Sequence, residues 1–147
     1  MIIVSSCLAG IPCRYNAAHS EAAEVAALVK EGKAIPVCPE CLAGLPVPRP
    51  SSEIVGGSGE DVLLGKAKVL AKTDAGLLDA TDAFVYGAEA ALEIALRVGA
   101  KVAVLKQNSP SCGAGSIYDG TFCGKKRIGN GVAAALLIKN GVEVISR

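Results

Sequence analysis

Short apolar runs alternate along this chain with longer segments of helical periodicity. Runs rich in β-branched residues predict buried strands, and apolar positions spaced by three and four residues predict helices. The predicted strands cover residues 2–6, 34–37, 66–73, 101–105 and 142–146, with 62–64 as a possible hairpin partner of 66–73. The predicted helices cover residues 20–31, 80–98 and 132–140. Ser20 is the predicted N-cap of the first helix, and a glycine ends each helix.

This alternation of strands and helices predicts an α/β fold. Parallel strands joined by right-handed helical crossovers are the usual result of such an order. We expect residues 1–147 to form a single domain with a Rossmann-like, open, mostly parallel sheet flanked by helices. In such sheets ligands bind outside the carboxyl ends of the strands, so the site is predicted there.

Two long segments, residues 38–59 and 107–131, lack a regular pattern. The first contains Pro39, Pro46, Pro48 and Pro50, which makes regular structure unfavourable, and the second is rich in glycine. The Gly-Gly-Ser-Gly run at 56–59 follows no evident strand and opens no evident helix, so it is predicted to be a flexible loop. Loops this long in a compact domain are usually functional or disordered.

Three cysteines lie just beyond predicted strands. Cys7 follows the first strand, Cys38 follows the second, and Cys112 lies in a loop after residues 101–105. Because the carboxyl ends of parallel strands share one edge, we expect these thiols to meet in one pocket. Three soft thiolates suit an iron–sulfur cluster or zinc, although the single histidine, His19, leaves zinc few nitrogen ligands.

The other cysteines invite simpler interpretations. Cys41 forms a Cys-x-x-Cys pair with Cys38, but the residues after it start a helix poorly, and redox dithiols of the thioredoxin type lie at helix N-termini. A redox dithiol is therefore the less favoured hypothesis. Cys123 is predicted to be a small buried hydrophobic residue.

Several polar residues flank these thiols. Glu40 is a candidate general acid or base, or alternatively an ion-pair partner of Arg49. Ser109 and Ser111 can orient water or substrate, although serines in such loops usually cap turns. Arg14 and Tyr15 follow Cys7 and can supply hydrogen bonds and a stacking face.

Composition narrows the possible partners. The 147 residues carry a net charge of +1 and 51% hydrophobic residues, so no overall field attracts nucleic acid or anionic lipid. The amino terminus lacks the basic region of a signal peptide, and no apolar stretch is long enough to span a membrane. We therefore expect a cytoplasmic protein, where disulfides are rare and clustered cysteines more often serve metals or redox chemistry.

Three blocks of sequence resemble the TudS-type thiouracil desulfidase family. They are Ser-Ser-Cys-Leu-Ala-Gly at 5–10 with Arg-Tyr at 14–15, Cys-Pro-Glu at 38–40 with Gly-Leu-Pro-Val-Pro-Arg at 44–49, and Ser-Pro-Ser-Cys-Gly at 109–113 with Ile-Tyr-Asp-Gly at 117–120. The resemblance runs from residue 2 to about residue 145. Cys41 departs from the pattern, because the family more usually has an aliphatic residue there.

The resemblance implies a 4Fe–4S cluster held by Cys7, Cys38 and Cys112, with one iron left open for the sulfur of the substrate. It also implies that Glu40 and a serine, Ser109 in preference to Ser111, are catalytic. Arg14, Tyr15 and Ser111 are the candidate substrate-binding residues. The implied reaction is the non-redox removal of sulfur from a thiolated pyrimidine of the 2-thiouracil type, giving the oxo base and sulfide.

Two alternatives remain at this point. The same cysteines could serve a non-catalytic carrier of zinc, an iron–sulfur cluster or sulfur. A desulfidase could also act on thiolated tRNA, although the near-neutral charge favours a free base.

Overall fold

The computed structural model describes residues 1–147, which form nine strands and five α-helices. The strands are β1 (Ile2–Ser5), β2 (Ala34–Val37), β3 (Ser52–Val55), β4 (Lys68–Thr73), β5 (Gly76–Asp79), β6 (Val102–Leu105), β7 (Ser116–Tyr118), β8 (Lys126–Ile128) and β9 (Glu143–Ser146). The helices are α1 (Ala23–Lys30), α2 (Pro39–Leu42), α3 (Gly59–Leu63), α4 (Thr81–Arg97) and α5 (Val132–Lys139). A 3-10 helix, Ser6–Ala9, follows β1 directly.

The main sheet has four parallel strands in the order β2-β1-β6-β9. Its central strands are buried: Ile3 and Val4 of β1 and Ala103 of β6 have no exposed surface. These are the short β-branched and apolar runs of the sequence, because strands covered on both faces need no polar alternation. The predicted α/β class, with a parallel sheet and flanking helices, is confirmed.

Two antiparallel units accompany the parallel sheet. Strands β3, β4 and β5 form one, and the β7–β8 ribbon forms the other. The suggested hairpin between residues 62–64 and 66–73 is wrong, since Val62 lies in α3 and β4 pairs with β3 and β5. Neither unit has the continuous apolar run that reveals a buried parallel strand.

The glycine-rich segment before α3 is also more ordered than predicted. It follows β3 and opens α3, where the Ser58 side chain and the Asp61 side chain form a reciprocal capping box. The backbone N–H of Ser58 donates to Asp61 Oδ2 at 2.9 Å. A capping box satisfies two free backbone donors, which is why a helix starts here despite the glycines.

Helix α2 is a short helix that was not predicted, because residues 38–59 contain many prolines. Pro39 occupies its first turn, where a missing N–H costs nothing. Gly87 of α4 lets this helix approach closely, because a Cβ on Gly87 would collide with the carbonyl oxygen of Pro39. Packing against α4 therefore fixes the position of the residues that follow β2.

The long helix α4 supplies much of the remaining core. Its buried residues fall on one face and are Phe84, Gly87, Ala88, Ala91 and Ala95. Small side chains on that face allow α4 to lie close to α5 and α2. None of the helices combines the length and apolar character needed to cross a lipid bilayer.

Candidate functional site

The loops after β1, β2 and β6 meet at the carboxyl edge of the main sheet. The chain runs from β1 to β2 on one side of β1 and later returns to β6 on its other side. The connections therefore diverge between β1 and β6, which leaves a crevice at this point. A cavity of about 370 Å³ lies there. Cys7, Cys38 and Cys112 all line it, as the sequence predicts for strands that share an edge.

The three thiols differ in burial and in proton affinity. Cys7 and Cys112 are buried and Cys38 is half-buried. A hydrogen bond from the Cys13 thiol outweighs the effect of burial and lowers the pKa of Cys7. Burial raises the pKa of Cys112 to about 12, against the opposing hydrogen bonds of Ser5 and Ser111. The hydrogen bond with Cys13 and burial raise the pKa of Cys38.

Cys13 lies at the centre of the thiol group without having been predicted as a ligand. It is 7% exposed and lines the same cavity. Its carbonyl oxygen accepts long contacts from the thiols of Cys38, at 4.0 Å, and Cys41, at 3.9 Å. A hydrogen bond with Cys38 lowers the pKa of Cys13, but its bond to Cys7 and its burial prevail and raise that pKa to about 12.

The position of the Cys38–Cys41 pair differs from the prediction. Cys38 does stand at a helix N-terminus, as the N-cap of α2, although the sequence after Cys41 starts a helix poorly. The thiols nevertheless differ from those of a thioredoxin. Burial and the hydrogen bond with Cys38 raise the pKa of Cys41, and that of Cys38 is also raised, whereas redox dithiols have a lowered one.

Glu40 lines the cavity and forms an ion pair with Arg49. Arg49 Nε donates to Glu40 Oε1 at 3.4 Å, so the catalytic and the ion-pairing interpretations of Glu40 are compatible. Burial lowers the pKa of Arg49, but the attraction of Glu40 and its hydrogen bond outweigh this and raise it above the ordinary value. A buried cation thus stands beside the candidate acid–base residue.

Ser109 and Ser111 form a hydrogen-bonded chain that leads to Glu40. Ser109 Oγ accepts the backbone N–H groups of Ser111, at 3.2 Å, and Cys112, at 3.1 Å. It also lies 3.0 Å from Ser111 Oγ, which donates to Glu40 Oε2 at 3.4 Å. Ser109 therefore caps the turn, as serines in such loops usually do, and also lines the cavity, whereas Ser111 is fully buried behind it.

Helix α5 holds this serine loop in place. Its free N–H groups at Val132 and Ala134 donate to the carbonyl oxygens of Pro110, at 2.8 Å, and Ser111, at 3.0 Å. Gly131 is required for this contact, because a Cβ there would meet the backbone of Ser111 at 2.6 Å. The loop that carries Cys112 is thus fixed by the end of a buried helix.

Arg14 and Tyr15 lie on the rim of the cavity. Arg14 Nη1 donates to Ser20 Oγ at 3.1 Å, which gives Ser20 a partner in place of its predicted capping role. Helix α1 begins later, with Ala22 as its N-cap. Tyr15 is 42% exposed and leaves its ring accessible beside the opening.

Two further lining residues, Ser5 and Glu53, were not identified from the sequence. Ser5 is 2% exposed and its Oγ accepts the backbone N–H of Lys106 at 2.9 Å, which joins the loops after β1 and β6. Glu53 accepts the backbone N–H groups of Gly120, at 3.0 Å, and Phe122, at 3.2 Å. The available signal in the sequence for Ser5 was a hydroxyl residue at the end of an otherwise apolar strand. No such signal marks Glu53 in the sequence.

The predicted burial of Cys123 is wrong. The sequence predicts a small buried residue, but Cys123 lies on the exposed turn between β7 and β8. Its thiol donates to the carbonyl oxygen of Thr121 at 3.3 Å. A two-stranded ribbon has no second layer over its turn, so nothing covers this side chain.

The donor set at the cavity fits an iron–sulfur cluster. No group of three or more His, Cys, Asp and Glu side chains is close enough to hold a single metal ion. A cluster makes no such demand, because each cysteine binds a different iron. Cys7, Cys38 and Cys112 offer it three thiols from three loops of one cavity, and the Ser111 hydroxyl lies 3.7 Å from the sulfur of Cys112.

Comparisons with known proteins identify the family of the chain. The family model described as 2-thiouracil desulfurase matches residues 2–147. The chain is 50% identical over 146 residues to the uncharacterized protein YbbK of Bacillus subtilis (strain 168), covering 99% of this chain and 95% of that protein. A solved structure of the 4Fe–4S-dependent thiouracil desulfidase TudS is 42% identical, with a TM-score of 0.84, covering 99% of this chain and 89% of that one.

Proposed function

Since the chain belongs to the 2-thiouracil desulfurase family, we propose that it is an iron–sulfur-dependent desulfidase. It removes sulfur from a thiolated pyrimidine of the 2-thiouracil type without a net redox change. The observation that carries the proposal is that Cys7, Cys38, Cys112, Glu40 and Ser109 all line one cavity. The overall reaction consumes one water and converts a C=S group into C=O, with release of hydrogen sulfide.

In this proposal Cys7, Cys38 and Cys112 hold a 4Fe–4S cluster. When bound, the cluster supplies an iron without a protein ligand, a soft Lewis acid that draws electrons from the C–S bond. The two more deeply buried thiols, Cys7 and Cys112, follow the adjacent central strands β1 and β6, and Cys38 follows the edge strand β2. Residues 1–147 would then act as one desulfidase domain, which the full-length family match supports.

Glu40 is the proposed general base and acid. Its carboxylate lines the cavity, and each oxygen has one hydrogen-bond partner, which leaves lone pairs for a proton of the attacking water. It takes that proton as the water attacks carbon and returns a proton to the departing sulfur. A positioned carboxyl group of this kind typically contributes roughly 10²–10⁴-fold to the rate.

Ser109 is the proposed second catalytic residue. Its Oγ accepts two backbone N–H groups, so its own proton is free to point to Ser111 Oγ or to a group in the cavity. Ser111 continues the chain to Glu40 and positions its carboxylate. Arg14 and Tyr15 on the rim supply a cation and an aromatic face for the pyrimidine.

The test is metal content followed by turnover. The protein is purified without oxygen and reconstituted, and iron, acid-labile sulfide and zinc are measured before 2-thiouracil is added. We expect about four irons and four sulfides per chain, and conversion of 2-thiouracil to uracil and sulfide. Zinc alone, or no metal, would overturn the cluster assignment and leave a thiol-based carrier.

The same preparation distinguishes the substrate classes. A cluster-loaded protein that ignores the free base would overturn the 2-thiouracil substrate while keeping the cofactor, and thiolated tRNA would be assayed next. Binding of tRNA should weaken steeply as salt is added, because phosphate contacts release counterions. A free base should show little salt dependence.

A further inference from the structure

We propose that Arg49 is a positioning residue that holds Glu40 at the cavity and ties it to the loop after β1. The inference rests on the proposed function only where turnover is the readout. The side chain of Arg49 is 4% exposed and that of Glu40 is 16% exposed, so this ion pair is largely removed from water. Arg49 itself lines the cavity wall.

The guanidinium of Arg49 joins three separate segments. Nη2 donates to the carbonyl oxygen of Cys13 at 2.9 Å, Nη1 to that of Pro46 at 3.2 Å, and Nε to Glu40 Oε1 at 3.4 Å. Its backbone N–H donates to the carbonyl oxygen of Tyr15 at 2.7 Å. A planar fork of five donors can satisfy three acceptors at once, which a lysine ammonium on a flexible stem does poorly.

The carboxylate of Glu40 is therefore held from both sides. Arg49 binds Oε1, and Ser111 Oγ binds Oε2 at 3.4 Å. The two anchors come from different parts of the chain, so the plane of the carboxylate is fixed relative to both the β1 loop and the serine loop. A buried charge needs such partners, and Glu40 is the carboxylate that pairs with Arg49.

A second Arg–Glu pair provides a matched control. Arg97 Nη2 lies 2.7 Å from Glu93 Oε1, which is closer than the pair at the cavity. Both side chains are mostly exposed, however, and exposed pairs contribute little. The two pairs separate the effect of position in the site from the effect of losing an arginine.

The experiment compares Arg49→Met, Arg49→Lys and Arg97→Met as reconstituted, oxygen-free proteins. Amide hydrogen exchange of residues 13–15 and 40–45 measures whether Arg49 holds these two segments together, and it does not require turnover. We expect faster exchange in both segments for Arg49→Met. For Arg97→Met we expect the same exchange as in the wild-type protein. The kcat for 2-thiouracil per bound cluster should fall roughly 100-fold in Arg49→Met, the size expected when a catalytic group moves by about 1 Å, with KM changed little.

A double-mutant cycle then tests whether Arg49 acts through Glu40. In a Glu40→Gln background, Arg49→Met should lower kcat no further, because the group that it positions is already absent. An additive loss would overturn the inference, as would unchanged hydrogen exchange in Arg49→Met. If Arg49→Met fails to fold, Arg49→Lys replaces it in both measurements, and full kcat in Arg49→Lys would equally overturn the inference. Absence of turnover in the wild-type protein contradicts the proposed function instead, and hydrogen exchange still decides the tie.

Discussion

The carboxyl edge of the main sheet and the β7–β8 ribbon both carry cysteines, in opposite surroundings. At the sheet edge Cys112 is 5% exposed and shares a cavity with two other thiols. On the ribbon Cys123 is exposed and has only the carbonyl oxygen of Thr121 as a partner. Only ten residues of the chain lie between Cys112 and Cys123, although the two thiols have entirely different possibilities for chemistry.

The difference comes from what lies behind each loop. The loop with Cys112 rests on the N-terminus of α5, which is buried and donates two backbone N–H groups to it. The turn with Cys123 belongs to a two-stranded ribbon, and β8 is exposed throughout. Position in the layered architecture, and not the residue type, therefore decides whether a cysteine can hold a metal centre.

The largest expected effect is the loss of a thiol at the sheet edge. Cys112→Ala should abolish the cluster and all turnover, because two thiols cannot hold a cluster that needs three. Cys123→Ala is the matched control and should retain full iron content and activity. Iron, acid-labile sulfide and the visible absorption of the reconstituted proteins measure both. Cluster loss in Cys123→Ala would break the contrast between the two regions.

Glu40→Gln tests whether the edge supplies proton transfer as well as ligands. The amide cannot accept a proton from water, so kcat should fall roughly 10²–10⁴-fold with full cluster content. Glu93→Gln, on the exposed side of α4, is the control and should leave kcat unchanged. Full turnover in a cluster-loaded Glu40→Gln protein would remove Glu40 from the mechanism.

The convergence of Cys7, Cys38 and Cys112 could be predicted because it follows from strand order. Each thiol comes after an apolar run, and parallel strands end at one edge. The exposure of Cys123 could not be predicted, since burial of a loop residue depends on layers formed by distant chain segments. The ion pair of Arg49 with Glu40 could be suggested from the sequence, but its contact with Cys13, 36 residues away, could not, for the same reason.

Helix α2 shows a different limit of sequence interpretation. Four residues cannot sustain a helix by intrinsic propensity, since nucleation is costly. The helix exists because Gly87 of α4 allows Pro39 to pack against it. That contact joins positions 39 and 87, and neither position alone indicates it. The placement of Cys38 and Glu40 thus depends on a glycine in a helix whose sequence predicts only helix.

Gly87→Ala tests this dependence and should have a smaller effect than loss of a ligand. In a solvated helix the change would stabilise by about 1 kcal/mol, but here the new methyl collides with the backbone of Pro39. We expect destabilisation of about 1–3 kcal/mol, with partial loss of cluster. Thermal unfolding measures it, and Glu89→Ala on the exposed face of α4 serves as the control. A raised Tm in Gly87→Ala would show that α2 can move away freely.

Cys41→Ala should have the smallest effect and marks where the metal site ends. Cys41 is half-buried, contacts the carbonyl oxygen of Cys13, and is absent from the residues that line the main cavity. The three-ligand proposal therefore predicts normal iron content and a kcat close to that of the wild type. Cys13→Ala is a useful companion, because Cys13 does line the cavity and its thiol bonds to Cys7.

The two variants together distinguish a ligand from a neighbour. If Cys41→Ala loses iron while Cys13→Ala keeps it, the fourth iron has a protein ligand and no open position for the sulfur of the substrate. If both keep the cluster, it is held only by the thiols that follow the parallel strands, Cys7, Cys38 and Cys112. Iron analysis of the two proteins after the same reconstitution decides between these outcomes. The first would also remove the physical basis of the proposed reaction, since a soft Lewis acid without a free coordination site cannot bind a thiocarbonyl sulfur.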